Sequence, residues 1–100
     1  MEKVKFFKLF NTAFAPTRNK STDAGIDLYA IESTFVQTGK SATVRTGIAI
    51  HIPEGHVGKV EDRSSMALKG LRTGAGVIDS GYSGEIAIVV HNLNNTDSSN

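Results

Sequence analysis

Three short segments of this chain carry residues whose types and spacing could do chemistry. The first, GVIDSGYSGE at 76–85, places Asp79 between an apolar run and a Gly-rich turn that contains Tyr82. A carboxylate at the mouth of an apolar hairpin is expected to be partly desolvated, which favours its action as a general base near neutral pH. A tyrosine a few residues on could stack on a flat sugar or ring. The pairing indicates a small-molecule site that activates a water, whereas the alternative is a turn aspartate that bonds its own backbone.

The second segment, DRSSMA at 62–67, has the composition of an anion site. Arg63 offers a planar fork for phosphate oxygens, and the hydroxyls of Ser64 and Ser65 add donors. A short helix after them would direct its free N–H groups to the same place. The alternative is an arginine in a surface ion pair and a serine that caps the helix.

The third segment, DAGIDL at 23–28, puts Asp27 at the start of an apolar strand. Magnesium in nucleotide sites usually takes one or two carboxylates and completes its shell with water and substrate phosphates. Asp27 is compatible with that arrangement. A strand aspartate that only satisfies a turn remains the alternative.

Composition narrows the class of protein. The chain has 100 residues, enough for one compact domain, with a formal net charge of +1 and no cysteine. A balanced charge argues against nucleic acid or an anionic membrane as the main partner. The lack of cysteine excludes disulfides and thiolate nucleophiles. No signal peptide and no run of membrane-spanning length is visible, so we expect a soluble cytoplasmic protein.

Period-two alternation of apolar residues, interrupted by glycine at short intervals, predicts an all-β sandwich or barrel. We expect strands at 4–10, 26–30, 34–37, 44–52, 57–60 and 85–90. The strand at 44–52 should bury one face, and the strand at 85–90 should be central and covered on both faces. One very short helix is predicted at 65–69, capped by Ser64 or Ser65 and ended by Gly70. Residues 1–92 form one domain, and the polar tail 93–100 should be disordered unless something holds it.

Taken together, the segments resemble the trimeric dUTPase family. The motifs are AGIDL at 24–28, RSSMA at 63–67 and GAGVIDSGYSGE at 74–85, in the order and separation of that family. The resemblance implies a jelly-roll-like β domain of the β-clip type and a homotrimer whose active sites are shared between subunits. It also implies hydrolysis of dUTP to dUMP and pyrophosphate with Mg²⁺.

The resemblance also implies a role for each matched residue. Asp79 would activate the attacking water, and Tyr82 would stack under the deoxyribose and reject a 2′-hydroxyl. Asp27 would hold magnesium through water. The remaining substrate-binding residues divide into a base group and a phosphate group. The backbone of Gly76 and Ile78 would pair with the uracil edge, with Val77 between them; Arg63, Ser64 and Ser65 would hold the phosphates, with Lys69 nearby.

The sequence departs from the family in three ways. Ser83 replaces a residue that is frequently basic or an amide. Asp62 stands where the family usually has proline or a small residue, and its charge would repel a triphosphate unless Arg63 or Lys69 compensates it. The chain also stops before the fourth and fifth motifs, which would supply further strands and a mobile Gly-rich arm. We therefore expect a truncated or split dUTPase, of phage or viral type and acting in the host cytoplasm if so, that is weakly active or inactive alone.

Two alternatives remain from the sequence. A dCTP deaminase shares the fold, but its catalytic glutamate would fall at Val89, where an apolar side chain cannot shuttle protons. A non-catalytic nucleotide-binding or partner-binding remnant is the other, because strand edges left open by missing segments favour pairing with a protein partner.

Overall fold

A computed structural model describes residues 4–18, 25–74 and 76–94 and the backbone of 98–99. Ala24 and Ala75, which belong to the matched motifs, lie outside them. The described chain contains one helix and short antiparallel strands. In chain order they are β1 (Lys5–Lys8), β2 (Phe35–Val36), β3 (Ser41–Arg45), β4 (Ile48–His51), β5 (Val57–Lys59), α1 (Ser64–Leu68), β6 (Leu71–Gly74), β7 (Val77–Asp79), β8 (Ala87–Asn92) and β9 (Ser98–Ser99).

The strands form four small sheets, which pair β1 with β4, β2 with β9, β5 with β7, and β8 with both β3 and β6. This confirms the predicted all-β fold with a single very short helix. None of the described helical residues forms a segment long and apolar enough to cross a membrane.

The prediction of one continuous strand at 44–52 is wrong, because the strand is interrupted between β3 and β4. These two strands belong to different sheets. The break contains Gly47, whose φ of 69° lies in the left-handed region that glycine adopts without strain. A Cβ at this position would lie 2.8 Å from the Cδ1 of Ile31. Every residue at 46–50 is buried, so the expected burial of one face only is also wrong.

The predicted central strand is confirmed with its limits moved two residues along the chain. β8 lies between β3 and β6 and pairs with both. Val90 is buried, but Ala87 at the start of the strand is exposed, so cover on both faces is incomplete there. The exposed start of β8 is where the candidate site lies.

Two regions differ from the predicted strands. The strand expected at 26–30 is absent from the described residues, where Asp27 instead forms an isolated bridge with Thr17. Beyond the domain limit at 92, β9 pairs with β2. The sequence predicted disorder for this tail unless something held it, and β2 is the element that pairs with it.

Two apolar clusters lie inside the protein. The first contains Ala13, Ile48, Ile50, Ile52 and Ile86, and the second contains Val36, Leu71 and Val90. Ile88 of β8 packs against both. The buried side chain of Asn92 is satisfied, because its Nδ2 donates to the carbonyl of Val36 at 2.7 Å.

The helix begins differently from the prediction. Arg63 is the N-cap residue, and α1 has no side-chain capping hydrogen bond, so the predicted serine cap is wrong. The predicted end is confirmed, because Gly70 follows α1 with a φ of 80°.

Candidate functional site

One wall of the site is β7, whose backbone faces two directions. The N–H of Val60 donates to the carbonyl of Gly76 at 2.7 Å, so Gly76 faces β5. Residues of an antiparallel strand alternate in the direction of their backbone groups. Ile78, which pairs with Gly58, therefore also faces β5. The N–H and C=O of Val77 face the other way, away from β5.

The opposite wall is the start of β8. The N–H of Asn92 donates to the carbonyl of Lys40 and that of Ile86 to the carbonyl of Ile48, so the even-numbered residues here face β3 and β4. By the same alternation, Ala87 and Val89 face β6. β6 ends at Gly74, opposite Val89. The backbone groups of Ala87 therefore extend past the end of β6, towards β7.

A depression of about 170 Å³ lies between these walls. Its lining residues are Val60, Val77, Ile78, Asp79, Tyr82, Glu85, Ile86, Ala87 and Ile88. The depression thus separates β7 from the start of β8, the two arms that the turn at 80–84 connects. A flat ring that entered between them would meet main-chain donors and acceptors from Val77 and Ala87.

Asp79 lies at the end of β7, on the rim of this depression. Asp79 pairs with Val57 of β5, and directly opposed residues in neighbouring strands have their side chains on the same face of the sheet. Both Asp79 and Val57 are exposed, so the single chain lacks the partial desolvation that we expected. Within the described residues the carboxylate makes no hydrogen bond, whereas the carbonyl of Asp79 accepts from the N–H of Tyr82 at 3.0 Å. The carboxylate is therefore free of the turn and available to a ligand.

Tyr82 is held across the rim by its hydroxyl, which donates to the carbonyl of Glu85 at 2.6 Å. The ring lies close to Gly84, where an added Cβ would be 2.8 Å from the tyrosine oxygen. The side chain remains 48% exposed. A fixed aromatic face next to Asp79 is the geometry that stacking on a sugar requires.

Glu85 connects this turn to the break between β3 and β4, a function that sequence reasoning missed. Its carboxylate forms an ion pair with Arg45 at 3.0 Å and accepts from the N–H of Gly47 at 3.0 Å. The hydrogen bond from Arg45 is the largest of the effects that lower the pKa of Glu85, and the bond from Gly47 adds to it. Because the partners are 38–40 residues away in sequence, no local pattern indicates them.

The predicted phosphate-binding residues lie outside the lining of the depression, at the two ends of α1. A guanidinium nitrogen of Arg63 lies 3.9 Å from a carboxylate oxygen of Asp27, so the structure brings these two residues together. Ser64 and Ser65 are the first, exposed residues of α1. Lys69 lies beyond the opposite end of α1, and its carbonyl accepts from Asn94.

Asp62 binds β6, and its charge is offset by Arg72, a residue that was not predicted from the sequence. Its Oδ1 accepts from the hydroxyl of Thr73 at 2.6 Å and from the N–H of Thr73 at 2.7 Å. Its Oδ2 accepts from the Nε of Arg72 at 2.6 Å. The bonds from Thr73, with the added effect of Arg72, lower the pKa of Asp62 to about 2. Among the described residues, the cation that contacts Asp62 is therefore Arg72 rather than Arg63 or Lys69.

The backbone segment predicted to bind the base directs its polar groups to two sides. The carbonyl of Gly76 is already engaged by Val60, and Ile78 faces β5. Val77 and Ala87 present their backbone groups to the depression instead. Ala87 could not be found from a motif, because its exposure follows from the end of β6 on a neighbouring strand.

Comparison with known proteins agrees with this geometry. The dUTPase family model matches residues 11–99. The deoxyuridine 5'-triphosphate nucleotidohydrolase of Mycobacterium avium is 43% identical over 81 residues, which are 78% of this chain and 53% of that protein. The enzyme of the same name from Mycobacterium tuberculosis is 42% identical over 81 residues, again 53% of its length. The chain thus spans about half the length of the curated relatives it matches.

Solved structures give the same result. The dUTPase of Staphylococcus aureus phage phi11 superposes with a TM-score of 0.85 at 35% identity, over 91% of this chain and 60% of that chain. The Staphylococcus bacteriophage 80alpha dUTPase superposes with a TM-score of 0.84 at 35% identity, over 90% and 59%. A phi11 variant is described with a coordinated structural Mg(II) ion, and an 80alpha variant with dUpNHpp.

The match extends to the fold, since the strands and the single short helix superpose on dUTPases over nine tenths of this chain. The dCTP deaminase alternative gains no support from these relatives. The three motifs, the separated arms around the depression and the family match together lead to one conclusion: the chain belongs to the dUTPase family.

Proposed function

We propose that this chain binds dUTP and provides the residues that hydrolyse it to dUMP and pyrophosphate. The observation that carries the proposal is the depression between β7 and β8, with Asp79 and Tyr82 on its rim. Family membership supports the same substrate and reaction. We expect the protein to act in the cytoplasm, where this nucleotide is found.

Base recognition would use main chain. The edge of uracil presents a carbonyl, an N–H and a second carbonyl, so it needs both donors and acceptors. The backbone groups of Val77 and Ala87 offer both kinds on opposite sides of the depression. Since cytosine presents an amino group and an unprotonated nitrogen at the same edge, a fixed donor and acceptor pattern discriminates between the two bases.

The chemistry would take place at the α-phosphorus. Asp79 accepts a proton from a water whose oxygen attacks that phosphorus, while the bond to the oxygen that bridges to the β-phosphate breaks and pyrophosphate leaves. A positioned general base typically contributes about 10²–10⁴-fold to the rate. Arg63, with Ser64 and Ser65, would neutralise and orient the phosphates, which is the greater part of catalysis in phosphoryl transfer.

Magnesium fits the residues present. The Asp27 side chain is 29% exposed and presents a hard oxygen ligand next to Arg63. The described residues contain no group of three or more potential metal ligands, so water and substrate phosphates would complete the shell. Bound there, the ion would neutralise negative charge on the phosphates.

A homotrimer would complete the site. Val57 and Val77 are each 66% exposed on the face of β5 and β7 that carries Asp79, and Phe6 and Phe7 of β1 are 44% and 55% exposed. Large exposed apolar side chains in such number are typical of surfaces that are covered in an assembly. A second subunit against β5 and β7 would also remove water from around Asp79, which the single chain leaves exposed.

The test is to measure binding and hydrolysis separately. Titration of the purified chain with dUpNHpp and Mg²⁺ should give saturable binding, and Asp79→Asn should retain that binding. Any release of pyrophosphate from dUTP should be abolished by Asp79→Asn and unchanged by Glu54→Gln, an exposed carboxylate in the turn before β5 that does not line the depression. Failure of the chain to bind dUpNHpp, or equal hydrolysis by Asp79→Asn, would overturn the proposal. Light scattering should report three copies per particle.

A further inference from the structure

We propose that Asp62 is a positioning residue that fixes the distance between the phosphate-binding residues and the base-binding depression, an inference that rests on the proposed function. Asp62 immediately precedes Arg63, the N-cap of α1. Its carboxylate binds Arg72 and Thr73 of β6. β6 leads directly into the depression through Gly76. The carboxylate therefore joins the two halves of the site.

The connection is built as a rigid clamp. Three donors from two consecutive residues of β6 converge on one carboxylate, at 2.6, 2.7 and 2.6 Å. The Asp62 side chain is only 21% exposed. Hydrogen bonds to an ionised group are shorter and stronger than those between neutral groups. With these bonds in place, Arg63 cannot move away from β6 without breaking them.

A second connection two residues earlier restrains the same segment. The N–H of Val60 donates to the carbonyl of Gly76 at 2.7 Å, and a Cβ on Gly76 would lie 3.0 Å from the carbonyl oxygen of Val60. The stretch 60–62 is thus bound both to β6 and to Gly76, the residue before β7. Glu61 lies between the two anchors, but its carboxylate extends outwards to Lys59 at 3.1 Å and is 70% exposed.

Such a clamp matters because base and triphosphate belong to one molecule. When two parts of a ligand bind two linked subsites, the gain over separate binding depends on whether the subsites are held at the correct spacing. Loosening the link lowers affinity for the whole nucleotide without changing affinity for its parts. This signature separates a positioning residue from one that binds phosphate directly.

Arg72 gives the clamp a second property. A bare carboxylate next to Arg63 would repel a triphosphate, but the guanidinium of Arg72 offsets the charge of Asp62. The arrangement thus permits an acidic side chain beside a phosphate site.

The experiment compares three ligands by NMR titration of the full chain: dUpNHpp with Mg²⁺, deoxyuridine, and tripolyphosphate with Mg²⁺. The variants are Asp62→Asn, Thr73→Val and Thr73→Ser, with Glu61→Gln as the matched control of charge at the neighbouring position. Thr73→Val removes one hydroxyl donor, whereas Thr73→Ser keeps it. Chemical denaturation of each variant checks that it is folded.

For Thr73→Val we expect dUpNHpp binding about tenfold weaker, with deoxyuridine and tripolyphosphate bound as by the wild type. Asp62→Asn also leaves the charge of Arg72 without its partner, so for this variant we expect the loss in the ratio of dUpNHpp affinity to tripolyphosphate affinity. Thr73→Ser and Glu61→Gln should bind all three like the wild type. Unchanged dUpNHpp affinity in Thr73→Val would overturn the inference. The inference would also be overturned if Thr73→Val weakened the binding of tripolyphosphate as much as the binding of dUpNHpp. A wild-type chain that binds none of the ligands would instead overturn the proposed function, and the inference with it.

Discussion

The hydroxyl of Tyr82 reaches over Gly84 to donate a hydrogen bond to the carbonyl of Glu85 at 2.6 Å. Only the absence of a side chain at Gly84 permits this path, because a Cβ there would lie 2.8 Å from the tyrosine oxygen. The carboxylate of the same Glu85 binds Arg45 and Gly47. The orientation of the Tyr82 ring therefore depends on the contacts of Glu85 with Arg45 and Gly47 as well as on the turn itself.

The Tyr82 ring should reject ribonucleotides. Tyr82→Ala should bind UTP and dUTP with similar affinity, since nothing remains to crowd a 2′-hydroxyl. Tyr82→Phe keeps the ring but loses a hydrogen bond worth about 0.5–1.5 kcal/mol, so it should lose discrimination only in part. Competition titrations of dUTP against UTP measure both. Parent-like discrimination in Tyr82→Ala would show that the ring does not contact the sugar.

Gly84→Ala should act on the site through Tyr82. The new methyl group would displace the ring and break its bond to Glu85, so nucleotide binding should weaken although no ligand contact is removed. Gly81→Ala is the control in the same turn, since a Cβ at Gly81 has no atom within 4 Å. Isothermal titration with dUpNHpp compares the two. Equal behaviour of both variants would contradict the role of Gly84.

Val77→Pro tests recognition of the base by main chain. The N–H of Val77 faces away from β5, so proline at 77 removes no bond from the β5–β7 pair. We expect the variant to fold but to lose uracil-nucleotide binding, whereas Val77→Ala, which keeps the N–H, should bind. Circular dichroism and titration with dUpNHpp measure fold and binding. Full binding by the proline variant would exclude the Val77 N–H as a donor to the base.

Glu85→Ala should destabilise the fold more than Glu85→Gln. The alanine variant leaves the N–H of buried Gly47 without a partner, and an unsatisfied buried N–H costs about 1–3 kcal/mol. Glutamine keeps an acceptor oxygen for that N–H and loses only the charge. Urea unfolding of the three proteins gives the comparison. Equal stability of the two variants would mean that Glu85 acts only through the exposed Arg45.

Acid should weaken the clamp at Asp62. Its pKa is lowered to about 2 in the folded protein, whereas the pKa of an aspartate in an unfolded chain is about 3.9. The contribution of its ionised form to stability is therefore complete above about pH 4 and is lost as the pH falls towards about 2. Between these values the wild type should lose stability more steeply than Asp62→Asn, measured as urea midpoints. Parallel curves would contradict the lowered pKa.

Local chemistry explains what could be predicted from the sequence. The position of Gly70 at the end of α1 follows from the left-handed conformation that glycine adopts, and β5 lies within the short strand predicted at 57–60. The order of Asp27, Arg63, Asp79 and Tyr82 along the chain is visible without a fold. These features depend on neighbours in sequence, so the sequence by itself determined the family, the fold class and the order of the candidate site residues.

Partners distant in sequence explain what could not be predicted. The break between β3 and β4 depends on the packing of Gly47 against Ile31 and on its bond to Glu85. The alternating pattern of 44–52 continues through the break, so Gly47 is the only sign of it in the sequence. Whether Val77 or Gly76 faces the depression depends on which residue pairs with β5, and the availability of Ala87 depends on where β6 ends. The compensation of Asp62 by Arg72 likewise needs the return of β6. Only the tertiary structure decided these relations, because antiparallel pairing assigns each backbone group to one side of a strand. A one-residue change of register would turn each of these backbone groups to the opposite side.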